Sequence, residues 1–350
     1  MYQFKAILST FLRNKVGTLL IIVQIAITLG VSINAFNIIQ DRDRKINRDT
    51  GMDEELLFSF NVIDARTDIN LEQNMQLDLD LLEQQADIES AISINQVPLS
   101  GSGDSTTYAA SREDHDNMKG KGATNFHSSN QLMETLGLKL VAGRNFTDKE
   151  VEYSDLYNNA KVVMITQSLA DKLYPNGAVG ELLYYGTGEA TIVGVVENMA
   201  GPWLHSSLLY DSVLSPLVPV RPFSRYLVRV KPGKLKSTMA EIEDILLKRD
   251  PNRVINYIRS LEEHKYKAYL GDIAMSYVLK AVVVLLIAVT ALGIVGMVNY
   301  NISRRFKQIG TRRALGASQG DIMRYFLSEI VLLCLIGILI GGFVSSIISE

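Results

Sequence analysis

A single cysteine, four histidines and one tryptophan are spread through 350 residues. Cys334 has no second thiol to pair with inside the chain, so any folded domain must rest on its own core rather than on disulfides. His115, His127, His205 and His264 are scattered without the close spacing of a zinc site, and neither a metal nor another cofactor is expected. No G-x-x-x-x-G-K-[ST] occurs, so the chain has no loop of its own to cradle ATP phosphates and would have to borrow an ATPase. No repeat of roughly 20–50 residues is visible. Acidic residues are missing altogether from positions 1–40 and from 304–318.

Apolar residues are abundant, 47% against 21% charged, and they are segregated. Three runs reach the roughly 20 residues that a helix needs to cross a hydrocarbon core. They are 17–39, 278–298 and 327–348. The first is too long for the apolar part of a signal peptide, and no small-x-small site stands before "DRDRK", so it reads as an uncleaved anchor.

Charge then sets the orientation. Residues 1–40 carry Lys5, Arg13 and Lys15 with no acid, and 300–350 carry six basic residues against Asp321, Glu329 and Glu350. Lys280 adds one base within the second run. Of the 35 basic and 38 acidic residues, 25 and 35 therefore fall in 41–277, a net of −10. Lys- and Arg-rich flanks stay inside, which predicts a cytoplasmic N-terminus, a cytoplasmic segment 299–326 and a large domain, 40–277, on the far side. A domain of that sign is a poor partner for nucleic acid. Phe4, Ile7, Leu8, Phe11 and Leu12 repeat at helical spacing, so 1–16 reads as an amphipathic helix in the inner-leaflet interface; an ordinary packed turn is the plainer alternative.

Within 40–277 the pattern mixes helix and strand, which predicts an α+β domain in two lobes, large enough to bury its own core. "LEQNMQLDLDLLEQQ" (71–85) has amphipathic helical spacing, and "IESAISINQV" reads as a strand. "NQLMETLG" predicts a short helix stopped by Gly137. "KVVMITQSLADKLYPNG" predicts a strand, a Thr166 cap, a helix and a turn. "ATIVGVVEN" and "RYLVRV" are strand-like. Thr238 with Glu241, and Ser260 with Glu263, match capping boxes that would open two more helices.

Four stretches together resemble the permease subunits of ABC transporters of the MacB and FtsX type. They are "LMETLGLKLVAGRNFTDKE" (132–150), "VVMITQSLADKLYPNGAVGELLYYG" with "TIVGVVENM", "KRDPNRVINYIRSLEEH", and "RRFKQIGTRRALGAS" with "DIMRYFLSE". They cover most of the chain in the family's order. The resemblance implies a non-catalytic permease of four spans in a bacterial inner membrane, with a MacB-like periplasmic core domain between the first two spans. It implies a cytosolic ABC ATPase dimer on a separate chain as partner, a second permease that is identical or homologous, and room for a periplasmic adaptor and an outer-membrane channel. ATP-driven motion would pass through the spans to the periplasmic domain, for export of peptides, drugs or other periplasmic substrates. Two features depart from the pattern. Only three spans occur before Glu350, and Gln308 stands where the family often has Glu.

The segment 299–326 is the candidate coupling site: Arg304, Phe306, Ile309, Gly310, Arg312, Arg313, Leu315 and Gly316. If Phe306, Ile309, Arg313 and Gly316 continue a helix, they share one face. Gly310 and Gly316 are poor helix formers, so a bend or a short crosswise helix is expected. Anchoring to anionic lipid would explain the arginines, but not the apolar and glycine positions. Gly337 and Gly341 form a small-x-x-x-small pair suited to close packing of membrane helices. Two charges fall in the spans. Glu329 is expected to pair or cap near the cytosolic interface, beside Tyr325 and Arg324, rather than relay protons. Lys280 is expected to reach water from the outer end of its span.

Other candidates are weaker. "DHD" around His115 reads as a solvated loop before a metal cluster, "GPWLHSS" as a packed turn before a ligand loop, and the Asn145 sequon as chance. Two rival functions stay open: an FtsX-like envelope regulator that activates a cell-wall hydrolase, and a membrane-anchored sensor. The cytosolic parts leave a sensor no output domain.

Overall fold

The computed structural model describes residues 15–154 and 160–348. The helix expected over 1–16 lies almost wholly outside them. The chain divides into two compact units, one holding the residues up to Arg48 and from Gly271 onward, the other Asp49–Leu270.

Three helices in the first unit are long and apolar enough to cross a membrane: Lys15–Ile46, Leu270–Arg304 and Gln319–Ile348. No proline interrupts them. At about 1.5 Å per residue each exceeds the ~30 Å hydrocarbon thickness. The apolar runs 17–39, 278–298 and 327–348 thus sit inside longer helices. The first helix continues through "DRDRK", and the second begins at Leu270, ahead of its apolar run. Large apolar side chains such as Val284, Leu285 and Leu292 stay exposed on the second helix, as a lipid solvent allows.

In the second unit, one sheet is four-stranded and antiparallel throughout, ordered Val254–Ser260, Leu57–Ile63, Phe223–Val230, Ile88–Ile94. Helices Leu71–Glu83 and Leu235–Arg249 join its outer pairs of strands in sequence, the plan of a split β-α-β fold. Alternation puts Phe58, Phe60 and Val62 on one face with Tyr226, Val228 and Val230, where Met75, Leu82, Ile242 and Leu246 from the two helices close the core.

The segment between Ile94 and Phe223 is inserted between the second and third of these strands in sequence; most of its strands build the other lobe, while Val218 joins the core of the four-stranded sheet. Its larger sheet runs Ser105–Tyr108, Lys121–His127, Ser212–Ser215, Val162–Thr166, Gly188–Val196, Leu140–Gly143, with Leu182–Tyr185 also on Gly188–Val196. Val163, Ile165, Leu169, Leu183, Ile192 and Val213 form a separate core. The lobes are stitched at Asn95: its backbone N–H donates to the His127 carbonyl (3.2 Å), and its side-chain oxygen accepts from the His127 N–H (2.9 Å). Ser128 Oγ donates to the Ser93 carbonyl at 2.7 Å.

Several local signals act as the sequence predicts. Gly137 closes helix Leu132–Leu136 at φ +76°, and Ser260 accepts from the Glu263 N–H to open helix Leu261–Ala268. Thr238 does not open a helix. The Lys231–Lys234 turn, with Gly233 at φ +79°, starts that helix at Leu235, and Thr238 is buried in its first turn. "DHD" belongs to a short helix, Arg112–Asp116, capped by Ser111, and not to a loop.

Candidate coupling site

Segment 299–326 is mostly helical. The second long helix ends at Arg304, and Arg305 breaks it at φ −106°, ψ 13°, as N-cap of a short helix, Phe306–Ala314. The far end is closed by backbone bonds. The Ala317 N–H donates to the Arg312 carbonyl (3.0 Å) and the Gly316 N–H to the Arg313 carbonyl (3.1 Å), with Gly316 at φ +96°. This is the Schellman arrangement, and it needs a residue at ease with positive φ. Ser318 and Asp321 then cap the third long helix reciprocally: Ser318 Oγ accepts from the Asp321 N–H, and the Asp321 carboxylate accepts from the Ser318 N–H, both at 3.1 Å.

Phe306, Ile309 and Arg313 share a face of the short helix, whereas Gly316 falls beyond its end. Phe306 is 76% exposed and Leu315 83%, so the two large apolar side chains find little cover among the described residues. A Cβ added at Gly310 would meet nothing within 4 Å. Internal packing therefore gives no reason for a glycine there, in a helix that glycine weakens by about 1 kcal/mol relative to alanine.

The short helix is tied to the third long helix. Arg305 donates from Nη1 to Glu329 Oε2 at 3.0 Å and from Nη2 to Oε1 at 3.3 Å. Its guanidinium lies 5.9 Å from the Phe326 ring centre, and that of Arg312 lies 4.9 Å from Tyr325. Glu329 is buried, while its partner Arg305 keeps part of its side chain exposed. The partner is Arg305, 24 residues earlier in the chain. Arg304 instead lies 5.5 Å over Tyr300 of its own helix. Arg305 is the residue that sequence reasoning missed. It stands in the basic block, but nothing local distinguishes it from Arg304.

Gly337 and Gly341 meet the first long helix. A Cβ on Gly337 would stand 2.7 Å from Ile25 Cγ2, and one on Gly341 2.7 Å from the Ala26 carbonyl oxygen. The first and second long helices are joined by polar contacts, as membrane helices often are. Gln24 Nε2 donates to the Val289 carbonyl (3.1 Å), the Thr28 and Thr290 hydroxyls are 2.7 Å apart, and Arg42 pairs with Asp272 at 2.8 Å. Lys280 is exposed, its ammonium 5.6 Å from the Tyr277 ring centre.

Among the described residues no three His, Cys, Asp or Glu side chains group as metal ligands. Burial pushes His127 and His264 down to about 4, and His205 packs edge-on against Tyr269 at 5.3 Å.

Residues 16–245 match the family model of the MacB-like periplasmic core domain, and 280–350 that of the FtsX-like permease C-terminal region. The chain is 29% identical over 210 residues to the macrolide export ATP-binding/permease protein MacB of Chromobacterium violaceum, spanning 59% of this chain and 32% of that protein. It is 25% identical over 221 residues to the probable syringafactin export ATP-binding/permease protein SyfD of Pseudomonas syringae pv. tomato, spanning 61% and 32%. The chain thus spans about a third of the length of the curated relatives it matches. Among solved structures, the periplasmic region of MacB from Actinobacillus actinomycetemcomitans aligns at TM-score 0.41 and 16% identity, over 64% of this chain and 97% of that one.

Proposed function

Because the chain belongs to the family of MacB/FtsX-type ABC transporter permeases, with membrane helices and a periplasmic domain, we propose that it carries ATP-driven motion from a cytosolic ABC ATPase to the periplasmic side. The observation that carries this reading is the short helix Phe306–Ala314, which leaves Phe306 and Leu315 exposed among arginines. A helix resting only on lipid headgroups needs the charges, but a helix seated in a protein groove uses the apolar residues as well.

On this reading segment 299–326 is the coupling element on the cytoplasmic side, and the spans carry its displacement outward. The membrane is the bacterial inner membrane, and two permeases, identical or homologous, pair over an ATPase dimer. Export is the task that fits. The relatives' names mention a macrolide and syringafactin, and the substrate proposed here is a peptide or drug-like molecule gathered on the periplasmic side. A periplasmic adaptor and an outer-membrane channel complete the route.

The test sets Phe306→Asp and Leu315→Asp against Arg312→Glu with Arg313→Glu. An aspartate forced into a protein groove would be buried without a partner, at a cost of several kcal/mol. The apolar variants are expected to lose ATPase co-purification and export at normal membrane abundance. If both still bind the ATPase and export at the parental rate, the coupling assignment is wrong. An arginine pair that alone controls membrane attachment would favour lipid anchoring.

A further inference from the structure

The short helix Phe306–Ala314 is covalently continuous with the second long helix, yet its side-chain ties lead to the third. At its N-terminal end the Arg305 guanidinium makes two hydrogen bonds to Glu329 and lies over Phe326. Two turns later Arg312 lies over Tyr325. Contacts at both ends of the short helix with one partner fix its direction as well as its position. At Arg305 the backbone leaves helical geometry, which interrupts the helix between the second long helix and the short one.

Glu329 itself needs explaining. Its carboxylate is buried beside a crevice lined mainly by apolar side chains such as Ile21, Met297, Ile330 and Leu333, with Asn301 as its other polar neighbour, surroundings that penalise an unpaired charge. Ion pairs in such places add little net stability, because desolvation offsets the attraction, and apolar replacements of similar volume are commonly tolerated. In some folds such a pair instead fixes a single defined arrangement. We infer that Arg305 and Glu329 are positioning residues that lock the coupling helix onto the third long helix, so that its displacement passes first to that helix. From there, Gly337 and Gly341 hand it to the first helix, against which they are packed at backbone distance. This inference rests on the coupling reading above and adds its route.

The experiment replaces the pair by Arg305→Met with Glu329→Leu, which keeps volume and leaves no orphan charge. In a Cys334→Ser background, spin labels at Lys307 and Met323, both exposed, report the distance between the two helices in the full chain. The unlabelled chain, reconstituted in liposomes with its ATPase, reports export per ATP hydrolysed. Expected are a narrow distance distribution that broadens in the double variant, retained ATPase binding, and at least a tenfold fall in export per ATP. A distribution that stays narrow, or export per ATP at the parental value, overturns the inference. If the parental chain binds no ATPase, the coupling reading falls instead, and the distance measurement still decides whether the pair locks the helix.

Discussion

Gly341 lies so close to Ala26 that a methyl group at position 341 would stand 2.7 Å from the Ala26 carbonyl oxygen and 3.0 Å from its Cα. The obstacle is backbone, which cannot swing aside as a side chain end would. Gly341→Ala is therefore expected to push the third long helix off the first, with the ~1–3 kcal/mol loss usual for overpacking. Gly342, its neighbour, has nothing within 4 Å of an added Cβ and supplies the control. Thermal unfolding in detergent should separate the two. Equal melting temperatures would mean that the contact does not hold the helices together.

Gly316 and Gly310 should respond in opposite directions. Gly316→Ala forces a Cβ into φ +96° and should loosen the end of the short helix, at a cost on the order of 1–3 kcal/mol. Gly310→Ala sits in open space inside the helix and should firm it by about 1 kcal/mol. Amide hydrogen exchange over 306–317 reads both. A Gly310→Ala chain with a firmer helix but less bound ATPase would indicate that the glycine leaves room for the partner. Unchanged binding would assign it no such role.

Acid should weaken the periplasmic domain before its carboxylates titrate. Burial holds His127 and His264 at about 4 in the fold, well under the ordinary value of 6.5, so between those limits the unfolded chain takes up protons that the folded one refuses. Stability is full above pH 6.5 and falls as pH drops toward 4, by about 3 kcal/mol for His127 if its shift is wholly expressed. Glu150, held at about 2 by hydrogen bonds from Arg144, adds its loss only below its ordinary 4.5. Urea denaturation of the excised domain at several pH values checks this. His127→Gln with His264→Gln should flatten the profile between pH 6.5 and 4.5. A profile that keeps its slope in that variant would remove the histidines as the cause.

Asp78 is buried, yet a single substitution there would be costly. It accepts from Arg253 through both terminal nitrogens, from Arg249 Nε at 2.9 Å and Nη2 at 2.6 Å, and from the Tyr226 hydroxyl at 3.3 Å. The Arg253 side chain is wholly buried, so Asp78→Leu strands its charge and should cost ~3–5 kcal/mol. Lys139→Ala, which breaks a 4.0 Å surface pair with Glu197, should stay within about 0.5 kcal/mol. Chemical denaturation of both variants compares them directly. Similar losses would refute the ranking.

What could be read ahead of the structure was whatever depends on near neighbours. The apolar runs, the Gly137 stop, the Ser260 cap and the spacing of Gly337 and Gly341 are all written within a few residues. The ion pair of Glu329 was not, because a turn and a whole short helix bring Arg305 back beside it. Thr238 shows the complementary failure. It carries the right cap chemistry, but a turn one helical period earlier had already set the start. The strand order was also invisible, since the two halves of the four-stranded sheet lie more than a hundred residues apart in sequence.

That sheet also sets how the periplasmic domain would resist a pull on its two ends. Its first strand, Leu57–Ile63, and its last, Val254–Ser260, are hydrogen-bonded neighbours, with Phe58 opposite Ser260. The chain therefore enters and leaves the domain at one shared edge, where the two stems are clamped side by side. Stems that slide together carry the sheet as one body. Stems drawn apart would peel that ladder rung by rung, beginning at Phe58, which is the low-resistance direction for an antiparallel pair. The segment inserted between Ile94 and Phe223 hangs from the other two strands and lies outside that peeling path.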